Sequence, residues 1–513
     1  MPKGGAPLYL DKKLFGVIIL AILYRLVFYT GIFGSDEMTY NGAALAFLNG
    51  TNDQASYIGA LRYGINIPVA VFFLIFGVNE WSANSWSFIC SILEVALVYI
   101  FALRVFGVRT ALFAGVIIAT TPLHVHYAGR MMGDAVLAFF LSLSIFLFYF
   151  GEKHESGKLF FGNGLAHGFI WFVKSGVAVL ATPIIVLYAL ATKSFSNKWI
   201  WIIIGGLTVF CLHLLLMWKI HNDPLYLFDA ITNSMNKLSN SDTTTPPIFY
   251  LKLMFIDLRH IWLLGLMASL GVVLLYKQKL LAQKQVKLIV IWFVFMLFIL
   301  SALPLKQANY TLIFVAPMSI LAGFFLSKQS RSYFRFTLFI WLSGATLLSG
   351  LEQQSIRNFV ANSNGIAEFS QENPSQPIYV NQRNKSVMLS MTFINNNLKR
   401  PQHVIVFDDL LEESDSIGNI PLDAYLIFDN ETVKKPFKVV KNRFMSAGYQ
   451  LAYIEDIEPK GYGIGLFFIK AIYQVSKLIL PSSMETKVLP FIKSYEEPKR
   501  AQIFKISRLA SKL

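Results

Sequence analysis

A polytopic α-helical membrane protein with a C-terminal α/β domain outside the membrane is the fold class that the sequence predicts. Hydrophobic residues make up 55% of the 513 residues, and the mean hydropathy is +0.52, which is typical of membrane proteins. Apolar runs long enough to cross a bilayer recur up to residue 351, and shorter strand-like runs replace them afterwards. We therefore divide the chain into a transmembrane module, residues 1–351, and a smaller domain, residues 352–513.

The transmembrane module contains about 11 apolar runs of spanning length, so about 11 to 12 transmembrane helices are expected. The run at 65–78 is shorter and is interpreted as re-entrant or interfacial, within a first outer loop, 34–80, that carries interfacial helices. The first run has no small-residue cleavage site and is interpreted as an uncleaved helix. The predicted runs are 14–33, 82–103, 109–123, 134–150, 160–176, 177–192, 199–218, 259–276, 288–304, 309–326 and 334–351.

Basic residues indicate the side of the membrane on which each loop lies. The formal net charge is +15, and lysines and arginines recur in every second short loop, as the positive-inside rule requires of cytoplasmic loops. Segments 34–80 and 219–258 and everything after residue 352 then lie outside. Because the loops account for the positive charge, no nucleic-acid partner is expected. The basic residues assigned to the cytoplasmic side are Lys3, Lys12, Lys13, Arg104, Arg109, Lys153, Lys158, Lys193, Lys198, Lys277, Lys279, Lys284, Lys287, Lys328, Arg331 and Arg335.

The region after residue 352 alternates strand-like and helix-like stretches, which predicts a small α/β domain. "PIYVNQ", "HVIVFDD" and "DAYLIFD" are the strand-like runs. The apolar stretch 461–480 is ambiguous, since it fits either an amphipathic helix at the membrane surface or a twelfth span. We favour the surface helix, because the later run "AQIFKISRL" is typical of a closing strand.

Charged residues next to the first apolar run are the first candidates for chemistry. Arg25 lies within that run, and a charge at membrane depth should face protein or a polar cavity. Asp36 and Glu37 follow in "GIFGSDEMTY", ahead of a segment that predicts an interfacial helix. Taken alone, this acidic pair fits an ordinary helix terminus equally well.

Several motifs in a fixed order resemble the GT-C glycosyltransferases, and in particular family 39. This family contains the protein O-mannosyltransferases and the aminoarabinose lipid A transferases. The resemblance covers roughly residues 14–350 and rests on the order of the motifs and their common side of the membrane. The motifs are "RLVFYTGIFGSDEMTY", "FGVNEWSANSWSFI", "HYAGRMMGDAVLAFF", "GFIWFVKSGVAVLATP" and "LKQANYTLIFVAP".

One segment departs from the family pattern. Many relatives have Lys-Pro-Pro where this chain has "RYG", at Arg62, Tyr63 and Gly64. The positive charge is kept on Arg62, but the rigid prolines are lost. Binding of a donor phosphate remains expected, while the local geometry should differ.

The resemblance implies an inverting transfer of a sugar from a polyprenyl-phosphate donor to a hydroxyl acceptor at the outer membrane face. The acceptor could be a protein, a glycolipid or a cell-envelope polymer. A lipid-phosphate donor needs no nucleotide, so neither a cofactor nor a divalent metal is implied. Membrane lipids surround the chain, and the expected location is the inner or plasma membrane.

The chemistry assigns roles to the candidate residues. An acceptor hydroxyl needs a base, for which Asp36 is the candidate, with Glu37 orienting the acceptor or supporting Asp36. The leaving phosphate needs fixed positive charge, for which Arg62, Arg130 and Lys306 are the candidates. Further residues are expected to support the site, namely Tyr40, Tyr63, Asp134, Lys174 and Tyr310.

Several of these residues could instead have a structural or lipid-binding role. Arg130 and Asp134 are four residues apart and could form a salt bridge on one helix, while Arg62 could bind lipid headgroups. The H-x-H pair, His124 and His126, lacks neighbouring acids or cysteines and is interpreted as structural rather than metal-binding.

Whole-protein alternatives remain as well. A lipid or polysaccharide transporter is one rival, although no internal repeat supports it. A non-catalytic membrane scaffold is another, and it predicts no dependence on Asp36. The loop 221–250 is either a mobile lid, an acceptor-binding element or a passive connector.

Overall fold

The computed structural model of the protein consists of two compact units. The first unit is formed by Met1–Tyr29, Ala43–Ile75 and Ser82–Ser349, and the second by Thr30–Gly42, Phe76–Trp81 and Gly350–Leu513. The structure describes residues 12–34, 36–54, 57–239, 245–381, 384–385, 403–407, 420–429, 436–458, 464–479, 489–490, 492–493 and 500–509.

Fifteen helices in chain order, α1 to α15, account for most of the described residues up to 372. Short 3-10 helices lie between some of them, at Asn52–Gln54, Asn197–Trp199, Leu280–Ala282 and Ala308–Phe314. The helices are α1 Lys12–Val27, α2 Asp36–Asn49, α3 Tyr63–Phe76, α4 Glu80–Phe106, α5 Val108–Thr120, α6 Pro122–Ala128, α7 Gly133–His154, α8 Gly157–Thr192, α9 Ile200–His221, α10 Tyr226–Ser239, α11 Phe249–Phe255, α12 Leu264–Lys277, α13 Lys284–Ala302, α14 Val315–Ser327 and α15 Arg331–Glu372.

Every apolar run that the sequence predicts overlaps at least one of these helices. Within the described residues, 7 helices are long and apolar enough to cross a membrane, or up to 8 if the bent pair α5 and α6 is one span. The prediction of a polytopic helical membrane protein is therefore confirmed. The remaining runs form shorter helices, α1 with 16 residues and α12 with 14, or share one long helix, α8.

Two breaks interrupt the apolar helices. In α8 the backbone of Lys174 is non-helical, with φ −160° and ψ 87°, so the helix is interrupted close to the junction of the predicted runs 160–176 and 177–192. Between α5 and α6 the axis bends by 59°, and Pro122 occupies the first position of α6. Proline suits this position because its missing N–H needs no partner in the first turn.

Close helix packing in the first unit depends on small residues. A Cβ added to Gly205 of α9 would collide with the carbonyl oxygen of Phe161 in α8, and one added to Gly164 would collide with that of Ile202. Small residues let two backbones approach closely in a membrane, where dispersion contacts favour association. The pair α8 and α9 is therefore built as a tight hairpin.

The second unit contains the C-terminal α/β fold, as the sequence predicts. Its five strands are β1 Ile378–Val380, β2 Val404–Val406, β3 Tyr425–Asp429, β4 Tyr449–Asp456 and β5 Ala501–Arg508, in the sheet order β2-β1-β3-β5-β4. Strand β1 pairs in parallel with β2 and β3, while β5 pairs antiparallel with β3 and β4. The expected closing strand is therefore β5.

Apolar side chains alternate between the two faces of this sheet. One face buries Ile378 and Val380 with Ile366 from α15. The opposite face buries Tyr379 with Val440 and Phe444 from a helix, α16, at Phe437–Ser446. Because successive strand residues point to opposite faces, helices cover the small sheet on both sides.

The ambiguous stretch 461–480 forms a helix, α17, over Gly465–Ile479, with residues 461–463 and 480 outside the described part. Its 15 residues are fewer than the roughly 20 needed to span a bilayer. Phe467 and Val475 are exposed together with Lys470 and Lys477, a mixture that is typical of a membrane-surface helix. The surface interpretation is favoured.

Candidate functional site

The predicted catalytic pair lies in the first turn of α2. Asp36 is half-buried, and Glu37 is fully buried with 0% of its surface exposed. One carboxylate oxygen of Glu37 accepts hydrogen bonds from the backbone N–H groups of Phe33, at 2.7 Å, and Gly34, at 2.9 Å. Glu37 thus shapes the loop that precedes Asp36, and Tyr40 is buried one turn further along.

A second carboxylate in the same unit, Glu80, holds the other side of this loop. Its Oε1 accepts a hydrogen bond from the N–H of Ile32 at 2.9 Å. Gly31 has φ +72°, and a Cβ there would collide with this oxygen and lie 3.5 Å from Nη2 of Arg357. Glu80 lies within the motif "FGVNEWSANSWSFI", but neither Glu80 nor Arg357 was predicted as a site residue. The approach of each side chain to the Gly31 loop has no local signature in the sequence.

In the first unit, two glycines bring three predicted site segments together. A Cβ added to Gly64 would lie 2.8 Å from Val173 Cγ2, and one added to Gly133 would lie 2.6 Å from Ile65 Cδ1. The indole N–H of Trp86 also donates to the carbonyl oxygen of Gly64 at 3.0 Å. The glycine of the "RYG" segment therefore permits a close approach. Segments 62–65, 132–134 and 172–174 lie side by side, carrying Arg62, Asp134 and Lys174.

Three of the predicted supporting residues form one cluster. The ammonium of Lys174 lies 3.7 Å from Oδ1 of Asp134 and 4.2 Å from the centre of the Tyr310 ring. An ammonium over an aromatic face is attracted by the ring quadrupole. The break in α8 at Lys174 exposes the side chain to both partners. The predicted Arg130–Asp134 pairing on one helix is wrong in its premise, because α7 begins at Gly133 and Arg130 precedes it.

Arg130 is 5% exposed and is held by α6, the short helix before it. Its guanidinium Nη1 lies 3.3 Å from Nε2 of His126, and its carbon Cζ lies 5.2 Å from the centre of the Tyr127 ring. Because a guanidinium only donates, His126 Nε2 is the acceptor. The hydroxyl of Ser87 donates to the carbonyl oxygen of Met132 at 3.0 Å and fixes the chain that follows.

Lys306 is buried at a junction of loops. Its ammonium donates to the carbonyl oxygens of Thr245, at 2.8 Å, and Leu303. Two of its three protons are thereby used in closing the end of α13. Nearby, burial raises the pKa of Tyr250, whose hydroxyl donates to the carbonyl oxygen of Gln307 at 3.2 Å.

Tyr63 connects the Arg62 segment to the long loop 221–250. Its hydroxyl lies 3.0 Å from Nε2 of His221, and the His221 ring stacks on Tyr226 with centroids 4.0 Å apart. Leu227 and Ala230 of α10 pack against Leu61 in a shared hydrophobic cluster. The loop therefore contains structured helices, with residues 240–244 outside the described part.

The two histidines of the H-x-H motif have separate partners. His124 Nδ1 lies 2.7 Å from Nη2 of Arg25, and its Nε2 lies 3.0 Å from Oε2 of Glu94. His126 instead contacts Arg130. Among the residues that the structure describes, no group of three or more His, Cys, Asp or Glu side chains could hold a metal. Through these contacts both histidines connect α6 to its surroundings. We call Arg25, His124 and Glu94 the buried triad.

Comparisons with known proteins agree with this architecture. Residues 66–218 match the family model of the dolichyl-phosphate-mannose-protein mannosyltransferases. The undecaprenyl phosphate-alpha-4-amino-4-deoxy-L-arabinose arabinosyl transferase of Wigglesworthia glossinidia brevipalpis is 24% identical over 205 residues, which are 37% of this chain and 36% of that relative. The matched region thus spans only about a third of the curated relative.

Solved structures extend the likeness over most of the chain. ArnT from Cupriavidus metallidurans in the apo state has a TM-score of 0.59 and 16% sequence identity, covering 87% of this chain and 97% of ArnT. The same protein bound to undecaprenyl phosphate has a TM-score of 0.54 and 16% identity, covering 82% of this chain and 93% of ArnT. At this level of identity, the likeness concerns the fold.

The fold defines the class of protein: the chain is a multi-pass α-helical membrane protein whose fold is similar to that of ArnT. The part of the chain that matches a family model, residues 66–218, lies within the region whose motifs resemble the same group of enzymes.

Proposed function

We propose that the protein is a glycosyltransferase that moves a hexosyl or pentosyl group from a polyprenyl-phosphate-linked donor to a hydroxyl acceptor, with inversion. The observation that carries the proposal is the close packing of the segments that bear Arg62, Asp134 and Lys174, beside buried Arg130. Fixed positive charge is what a leaving phosphate requires, and the planar fork of arginine suits phosphate oxygens.

In the proposed reaction, the acceptor oxygen bonds to the anomeric carbon while the bond from that carbon to the phosphate oxygen breaks. The polyprenyl phosphate leaves with the electron pair of the broken bond. The acceptor proton passes to the carboxylate of Asp36, which acts as the general base. Glu37 supports this role through its hydrogen bonds to the loop before Asp36.

The cations divide between binding and positioning. Arg62 and Arg130 are assigned to the donor phosphate, and Lys306 contributes the ammonium proton that its two carbonyl contacts leave over. Lys174 holds Asp134 and lies over Tyr310, so these three act together as support. Tyr40 and Tyr63 complete the supporting set.

The names of the relatives support a polyprenyl-phosphate donor. The family model is named for dolichyl-phosphate-mannose, the curated relative for undecaprenyl phosphate-linked aminoarabinose, and one ArnT structure contains undecaprenyl phosphate. These names share the lipid phosphate and differ in the sugar, so the donor lipid is proposed here without a choice of sugar. The proposed acceptor classes are protein, glycolipid and envelope polymer.

The proposed location is the inner or plasma membrane, with the reacting groups facing outside. This orientation is supported by the basic loops, because Lys and Arg concentrate on the cytoplasmic side of such proteins. A lipid-phosphate leaving group also supports a reaction that uses neither a nucleotide nor a divalent metal.

Donor binding tests the phosphate assignment. We expect Arg62→Gln to weaken the binding of undecaprenyl phosphate to the purified protein about tenfold or more, since charge-assisted hydrogen bonds contribute about 1.5–3 kcal/mol. Arg109→Gln is the matched control, because exposed Arg109 donates to the carbonyl oxygen of Gln329 in the first unit, on the predicted cytoplasmic side. Equal affinities for both variants and the wild type would remove Arg62 from the site.

A further inference from the structure

We infer that the buried triad is a positioning device for Arg130, acting through the short helix α6. This inference rests on the proposed role of Arg130 in binding the donor phosphate. The triad joins α1, α4 and α6 through side chains that are 0% or 1% exposed. Its hydrogen bonds define where α6 lies, and α6 in turn holds the guanidinium of Arg130.

Arg25 stabilises the bend at which α6 begins. In an unbroken helix the N–H of Leu123 would bond to the carbonyl oxygen of Ala119. Here the N–H of Leu123 donates instead to the carbonyl oxygen of His260, at 2.8 Å. The Ala119 oxygen accepts from Nη1 of Arg25 at 3.2 Å. The side chain of Arg25 thereby satisfies a carbonyl group that the bend releases.

His124 links the charges at either end of the triad. The Arg25 guanidinium can only donate, so Nδ1 of His124 accepts and the imidazole proton lies on Nε2. That proton is donated to Oε2 of Glu94, whose other oxygen accepts from the hydroxyl of Ser142 at 2.8 Å. The triad therefore contains one positive charge, one negative charge and one neutral ring. Buried charges persist when they are paired and hydrogen-bonded in this way.

The spacing of the H-x-H motif connects the triad to Arg130. Two residues apart on a helix correspond to about 200° around the axis, so the two rings project from opposite sides of α6. His124 contacts the triad, while His126 and Tyr127 contact the Arg130 guanidinium. A shift of α6 after loss of the His124 bonds would carry both of these contacts away with it.

Binding of undecaprenyl phosphate by variants of the purified full-length protein tests the inference. We expect His124→Leu to weaken binding about tenfold or more, because the displaced Arg130 guanidinium would no longer be oriented toward the phosphate. Asn163→Leu is the matched control. Asn163 is also fully buried, donates to the carbonyl oxygen of Ser144 at 2.6 Å and lies on α8 rather than α6. It should lower thermal stability and leave lipid affinity unchanged.

A double-mutant cycle separates positioning from general damage. If His124 acts through Arg130, adding His124→Leu to Arg130→Gln causes no further loss of affinity beyond that of Arg130→Gln alone. Additive losses would overturn the inference and leave the role of Arg130 intact. Unchanged affinity in Arg130→Gln alone would overturn the assignment of Arg130 and the inference with it.

A milder variant covers the case in which His124→Leu does not fold. Asparagine places an amide oxygen near the position of Nδ1, so His124→Asn keeps an acceptor for Arg25 and loses the bond to Glu94. We expect a loss of affinity smaller than that of Arg130→Gln. Wild-type affinity in a folded His124→Asn protein would contradict the inference.

Discussion

At the scale of single residues, Gly31 occupies a position where a side chain would meet both backbone strain and a steric clash. Its φ of +72° disfavours other residues, and the carboxylate of Glu80 occupies the space that a Cβ would need. The loop of residues 31–34 is thus fixed from two sides, by Glu80 through the N–H of Ile32 and by Glu37 through those of Phe33 and Gly34. Asp36 follows this loop after one intervening residue.

Gly31→Ala should destabilise the protein more than Gly50→Ala. Gly50 has a similar φ of +68° with no atom within 4 Å of an added Cβ, so both variants share the backbone strain. Gly31→Ala also displaces Glu80 and leaves a buried N–H without its partner, which adds about 1–3 kcal/mol. Thermal unfolding of the purified proteins measures the difference. Equal losses in the two variants would show that Glu80 does not determine this loop.

At this scale the sequence singles out candidate residues but does not predict their contacts. The acidic pair stood out because two carboxylates follow an apolar run. Glu80 and Arg357 did not, because the loop that they approach, at Gly31, lies far from both along the chain. The same holds for Glu94, since its bond to His124 joins residues 30 positions apart.

At the scale of elements, interruptions of the long apolar helices place the candidate groups. The break at Lys174 brings its ammonium to Asp134 and Tyr310, and the bend before α6 sets the start of the segment that holds Arg130. The first break was predictable, because two spanning runs follow one another without a polar loop. The angle of the bend was not, because it depends on the partners of Ala119 and Leu123, which are Arg25 in α1 and His260 in the turn before α12.

Two adjacent glycines in α9 provide a test of the close packing in the α8–α9 hairpin. A Cβ at Gly205 would collide with the Phe161 carbonyl oxygen, whereas one at Gly206 would lie 3.9 Å from the Gly164 carbonyl oxygen, an ordinary van der Waals distance. Gly205→Ala should therefore lower the free energy of unfolding by about 1–3 kcal/mol through overpacking. Gly206→Ala should leave the free energy of unfolding nearly unchanged or raise it. Thermal unfolding in detergent distinguishes them, and equal stabilities would refute the close α8–α9 contact.

At the scale of the whole molecule, the alternation of basic and neutral loops predicts the orientation in the membrane. We expect a cysteine at exposed Thr51 to react with a membrane-impermeant maleimide on intact cells, and one at exposed Gln283 to react only after lysis. The background for both is a variant in which Cys90 and Cys211 are replaced. The reverse labelling pattern would invert the proposed topology.

The fold class at this scale was predictable, because spanning runs and strand-like runs differ in length and period. The division into two compact units was not predictable. The segments Thr30–Gly42 and Phe76–Trp81 belong to the second unit, although both lie within the predicted transmembrane module. Such packing depends on long-range contacts that leave no local pattern.

The central claim is that Asp36 is the base of a sugar transfer, and one measurement tests it most directly. Purified wild-type protein and Asp36→Asn are supplied with a labelled polyprenyl-phosphate sugar and candidate hydroxyl acceptors. The matched control is Asp257→Asn, because a hydrogen bond from Arg259 lowers the pKa of Asp257 and commits that carboxylate to an ion pair.

The account predicts transfer by the wild type and the control, and a loss of about 10²–10⁴-fold in Asp36→Asn, the usual contribution of a general base. Transfer that persists unchanged in Asp36→Asn would contradict the mechanism.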